Sequence, residues 1–258
     1  MKTVQILLHS WQQLFGNLRQ ALLMPLPPLL IQAGALVLFL LAVVLRPVAQ
    51  GVGPSEGLPV LSVRPTLTPA IVLGLALAYA FSLVWLAVRW HRFVLLNERT
   101  HPLSPHPRAA MWRYVGTALL TVLITLPAAL LIAFGIGVTG GGGSLAFVIV
   151  LILMFLASAL MLVLGTALPG ATIGAPHPLR AAWNGMKPAG GVVLLLTIAG
   201  SLLNWLAQVA LELLQRSDVV PVGVYLGIGL ILYWLSMLFS LSVLTTLWGH
   251  FVEGRPLR

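Results

Sequence analysis

Six stretches of the chain are apolar almost without interruption, and each is long enough to cross a bilayer as a helix. They run at about 29–45, 69–88, 114–138, 145–168, 192–214 and 224–247. Apolar residues follow one another instead of alternating, which argues against the strands of a membrane barrel. A helix also satisfies its own backbone hydrogen bonds where there is no water. The pattern predicts an all-α fold, a polytopic bundle of six transmembrane helices paired as three hairpins, forming a single domain over residues 1–258. Pro127 falls inside the third stretch and predicts a kink there.

The segment ahead of the first stretch has a different pattern. Val4, Leu7, Leu8, Trp11, Leu14, Phe15 and Leu18 recur at helical spacing, while Gln5, His9, Gln12, Gln13 and Asn17 fall on the other side. This predicts an amphipathic helix over 3–20 that lies in the membrane interface before the chain turns at Pro25, Pro27 and Pro28. No small-residue cleavage site comes after it, so the first span is expected to act as an uncleaved anchor.

Composition points the same way. The chain is 59% hydrophobic and 7% charged, against about 25% charged residues in a soluble domain. Such a surface faces lipid. The net charge of +9 is spread between the apolar runs rather than gathered in a patch, which implies headgroup contacts and topology signals, not nucleic acid. Lys2, Arg19, Arg89, Arg92, Arg99, Arg108, Arg113, Arg180, Lys187, Arg255 and Arg258 fall on one side of the predicted layout, and only Arg46, Arg64 and Arg216 on the other. That asymmetry predicts a multi-pass membrane protein with both termini in the cytoplasm. The connections at 46–66, 139–144 and 215–223 then lie outside, too short for a folded domain. There is no cysteine, which removes disulfides, thiolate ligands and thiol nucleophiles together.

The cytoplasmic loops contain a repeat: residues 105–112 read PHPRAAMW and residues 176–183 read PHPLRAAW. The expected unit is an interfacial elbow helix leading into a hairpin, with the N-terminal helix as a looser third copy. His106, Arg108 and Trp112 of one elbow and His177, Arg180 and Trp183 of the other are expected to meet headgroups or a partner. A second echo links WHRFVLLNE at 90–98 with WGHFVEGR at 248–255, and places Trp90 and Arg92 on the same rim. With its Trp-bearing interfacial helix, the Trp90–Leu96 exit from the second span and the Pro178–Trp183 elbow, the chain resembles an uncharacterised family of bacterial, alphaproteobacterial-type six-span membrane proteins. It is similar in layout to the membrane domain fused to some glycerophosphodiester phosphodiesterases. The resemblance implies the fold and no particular activity. Where that family has Thr-Arg-Gly after the elbow Trp, this chain has Asn184-Gly185-Met186-Lys187.

Candidate chemistry within the spans is sparse. Asn204, Gln208 and Glu212 stand four apart on the fifth span and share one face, continued by Arg216. Polar groups at membrane depth usually turn toward a bundle interior or a watery cavity, so this face is a candidate polar site. It reads equally as interhelical hydrogen bonding and a surface ion pair. His91 and His250 each end a span on the same side, and could ligate a haem or metal between helices or simply join the aromatic belt. The glycines at 140–143 lack the Lys of a phosphate loop and read as a hairpin turn. Gly74 with Ala78, and Gly223 with Gly227, are small-residue contact faces. No nucleophile elbow, zinc-protease motif or dinucleotide fingerprint is present, and five carboxylates leave little for acid/base work.

The sequence therefore predicts a non-enzymatic integral membrane protein without catalytic residues, metal or cofactor. It would serve as an accessory or scaffold component, packing against anionic lipids, a larger membrane complex or further copies of itself. The alternative is a small permease or lipid-handling transporter that uses the polar face of the fifth span.

Overall fold

A chain this apolar has few ways to satisfy its backbone other than helix, and the computed structural model is 91% helical with no strand among its described residues. These are residues 2–44, 69–98, 108–139, 144–216 and 221–257. The loop at 46–66, the Pro105-His106-Pro107 motif, the glycines at 140–143 and residues 217–220 lie outside them. Six helical segments are long and apolar enough to cross a membrane, and the protein is a multi-pass helical bundle.

The long helices are α3 (Leu26–Val44), α4 (Pro69–Leu96), α5 (Arg108–Thr139), α6 (Ser144–Gly165), α9 (Gly190–Gln215) and α10 (Val222–Leu247), with α1 (Lys2–Phe15), α2 (Leu18–Leu23), α7 (Ala167–Ile173) and α8 (Pro178–Met186) as shorter elements. The first apolar segment begins earlier than its hydropathy alone placed it, at Leu18, because α2 leads into α3 through a buried turn at Met24 and Pro25. Pro127 lies within α5, whose helix continues past it. Pro169 lacks the N–H that would bond the carbonyl of Gly165, and there α6 gives way to α7. Pro188 does the same between α8 and α9, in a single 3-10 turn at Lys187–Ala189.

The two copies of the repeat fold differently. Pro178–Met186 forms the separate elbow helix α8, whereas Arg108–Trp112 is the first turn of the continuous α5. The residues after each Trp explain the difference: Arg113-Tyr114-Val115 continues a helix, while Gly185, Pro188, Gly190 and Gly191 interrupt one.

The buried side chains gather at the end of the bundle that carries most of the arginines. One cluster joins α1, α2, α4, α5 and α10 through Leu14, Met24, Leu86, Trp90, Tyr114 and Leu238. Another joins α1, α8, α9 and α10 through Ile6, Met186, Val193, Leu196 and Leu247. The opposite halves of the long helices are apolar and exposed, as at Leu73, Leu77, Leu131, Phe134, Leu145 and Leu203.

The N-terminal amphipathic stretch is two helices, not one. α1 is docked on the bundle by Thr3, Ile6, Ser10 and Leu14, all buried. Val4, Leu8, Trp11 and Phe15, the larger part of its apolar stripe, are exposed, although the Trp11 ring also meets Phe239 edge-on. Gly16 and Asn17 end the helix, and α2 begins at Leu18.

Candidate functional site

The richest polar chemistry lies where α4, α7 and α10 meet at the Arg-rich end. The last turns of α4 are enclosed on nearly every side, so that Leu86, Ala87, Val88, Arg89, Trp90 and His91 are all buried in succession. Polar groups so enclosed need partners. α10 supplies them. Ser242 Oγ accepts a hydrogen bond from Trp90 Nε1 at 2.9 Å, and Thr245 Oγ1 pairs with His91 Nδ1 at 2.7 Å. Beside them on α10, Thr246 Oγ1 accepts a hydrogen bond from Ser10 Oγ of α1 at 3.1 Å. Ser242 and Thr245 also donate to the carbonyls of Leu238 and Leu241 one turn back, which fixes their oxygens toward α4.

The guanidinium groups are spent on helix ends. Arg92 makes an ion pair with Glu98 at 2.7 Å and donates from Nη1 to the carbonyl of Thr172 at 3.0 Å. Arg113, from the first turns of α5, donates to the carbonyl of Ala171 at 3.2 Å. Both acceptors lie in the last turn of α7, where carbonyls have no partner within the helix and carry its partial negative charge. Gly174 closes that turn in the left-handed region, with φ of 83°. Arg255, beyond α10, pairs with Glu253 at 2.6 Å and donates to the carbonyl of Leu95 at the end of α4. Glu253 in turn accepts from Trp248 Nε1 at 2.7 Å.

Of the residues expected on the membrane rim, Trp90 is fully buried and bonded to Ser242, and Arg92, with its side chain 18% exposed, bridges α4 to α7. Trp112 and Trp183 are exposed, at 73% and 45%, as are Arg108, His177 and Arg180. His106 lies outside the described residues. His91 and His250 have separate surroundings: His91 is buried against Tyr114 and Thr245, whereas His250 packs on Phe251 and pairs with the carbonyl of Arg255. No group of three His, Asp or Glu side chains that could hold a metal occurs among the described residues.

Two cavities are notable. One, of about 130 Å³, lies at the Arg-rich end between His9, Gln13, Thr246, His250 and Arg255. The other, about 500 Å³, is an open apolar groove along α3 and α4, lined by residues including Gly34, Ala35, Gly74 and Ala78. Neither is touched by Asn204, Gln208 or Glu212. These three residues are exposed, and Glu212 is ion-paired with Arg216 one turn on.

The residues that sequence reasoning missed are the hydroxyls Ser10, Ser242, Thr245 and Thr246. Their signal was present. Among the five Ser and Thr hydroxyls of α10, those at 242, 245 and 246 stand at the i, i+3, i+4 spacing of one helix face. No protein-family model matches this chain, and no curated protein or solved structure matches it either.

Proposed function

We propose that this chain is a non-enzymatic scaffold or accessory protein of the inner membrane, with both termini cytoplasmic. The observation that supports it best is where the arginines go. Arg92, Arg113 and Arg255 are turned to helix-end carbonyls and neighbouring carboxylates, so they hold elements together instead of facing a substrate space. Around this built end, Arg108, Arg180 and Lys187 remain exposed beside Trp112 and Trp183. Such a basic, Trp-bearing rim suits anionic headgroups on the cytoplasmic side. Asn204, Gln208 and Glu212, on which a permease working through α9 would draw, line neither cavity.

Reconstitution into nanodiscs of mixed phosphatidylglycerol and phosphatidylcholine tests the reading. Phosphatidylglycerol should be enriched around the native protein, and the enrichment should be lost in the triple variant Arg108→Gln, Arg180→Gln, Lys187→Gln. Equal lipid ratios for both proteins would remove the headgroup role. Solute flux through sealed vesicles that depends on the protein would remove the scaffold role.

A further inference from the structure

α9 enters the bundle as a core helix and leaves it as a polar one. Its buried contacts, Val193, Leu196 and Thr197, are confined to the first two turns. From Thr197 the same flank continues through Ser201, Asn204 and Gln208, each exposed. The steps are four, three and four residues, the alternation by which two helices meet along a left-handed seam. Gly200, beside it, has open space where a side chain would project.

Depth makes this flank unusual. Asn204 stands fourteen residues after Gly190 and eleven before Gln215, which is about 21 Å from one helix end and 16 Å from the other at about 1.5 Å per residue. It is therefore close to the middle of the apolar layer. Among the described residues, the side-chain amides of Asn204 and Gln208 have no hydrogen-bond partner. Glu212, near the far end, is neutralised by its own Arg216. An amide is a donor and an acceptor at once, so it is complementary to another copy of itself. A two-fold axis along the membrane normal would set α9 parallel to its counterpart, with equal residues opposite one another.

We infer that this protein associates with a second copy of itself along the Thr197–Gln208 flank of α9, Asn204 and Gln208 pairing with the same residues of the partner molecule. The inference does not depend on the lipid contact proposed for the Arg-rich end, because it concerns a different helix face and its test reads that face alone.

The chain has no cysteine, which makes single-cysteine cross-linking direct. Ser201→Cys, Asn204→Cys and Gln208→Cys should each give a disulfide-linked dimer when native membranes are oxidised. Leu202→Cys, Leu206→Cys and Leu213→Cys are exposed controls on the opposite side of α9 and should cross-link several-fold less. Because a cysteine at 204 or 208 removes an amide, the pairing itself is read in Ser201→Cys combined with Asn204→Leu and Gln208→Leu. There, dimer yield should fall about tenfold, in line with loss of interhelical hydrogen bonds, with helicity by circular dichroism unchanged. Dimers favoured by the leucine-side cysteines, an absence of dimer from all positions, or an adduct with a different protein would each overturn the second-copy assignment. Undiminished cross-linking in the leucine background would overturn the amide pairing.

Discussion

Trp248 lies directly against Gly170: a Cβ atom added at position 170 would stand 2.3 Å from two carbons of the indole ring. The glycine is thus the floor on which the ring rests, and the ring also holds Glu253 through its N–H. Gly170→Ala is expected to push the ring aside and to destabilise the protein by about 1–3 kcal/mol, the usual result of overfilling a packed site. Thermal unfolding in mild detergent measures it. Gly116→Ala, where the added methyl meets open space, should leave the midpoint nearly unchanged.

The pairing of His91 with Thr245 gives a sharper test. His91 is fully buried, and its other ring nitrogen, Nε2, has no hydrogen-bond partner among the described residues. Thr245→Val should therefore leave the imidazole without its one hydrogen bond, costing about 1–3 kcal/mol. The double variant His91→Leu, Thr245→Val should recover most of that loss, since removing both partners of a buried bond costs far less than removing one. A double-mutant cycle of unfolding free energies in detergent measures the coupling. If the two losses simply add, the pair contributes no coupling.

Arg92 serves two partners from one planar head, and Lys cannot match that geometry. Arg92→Lys should lower the unfolding midpoint even though charge is kept, because either Glu98 or the Thr172 carbonyl loses its donor. Glu98→Gln should matter less, since the helix-end contact to Thr172 survives it. Comparing the two midpoints ranks the contacts.

In α1, Ile6 and Leu8 are both aliphatic and differ only in where they point. Ile6→Ala should cost about 2–5 kcal/mol, as for other large-to-small changes in a core, and Leu8→Ala much less, since Leu8 is 56% exposed. If both substitutions cost the same, α1 is not docked by its Ile6 face. Limited proteolysis of the N-terminal segment provides a second readout, with the Ile6 variant cut faster.

Ile6 and Leu8 also mark the limit of what the sequence could convey. Hydropathy located the six long helices, because burying apolar length in a bilayer leaves little alternative to helix. It could not show which apolar face of α1 meets protein and which meets lipid, since Ile6 and Leu8 are equivalent to a hydropathy scale. The smaller residues on the docked face, Thr3 and Ser10, held the answer, since Ser10 pairs there with Thr246. Similarly, Trp90 and Arg92 read as rim residues because aromatic and cationic side chains favour the interface. Only the packing of α7 and α10 around α4 shows that Trp90 is enclosed and that Arg92 gives its donors to Glu98 and the Thr172 carbonyl. For Asn204 and Gln208 the spacing was legible, but their exposure depends on α9 parting from its neighbours after Thr197, which no local pattern reveals.

The uneven distribution of packing between the two ends of the bundle has a consequence for its life in membranes of differing thickness. Helices meet a hydrophobic mismatch by tilting, at a modest cost for each ångström. Here the buried clusters and helix-end arginine contacts resist tilt at one end only, while the far halves of α4, α5, α6 and α9 share few buried contacts. Thinning or thickening of the bilayer should therefore move those far halves, α5 together with α6 and α4 together with α3, while the arginine-braced end keeps its geometry.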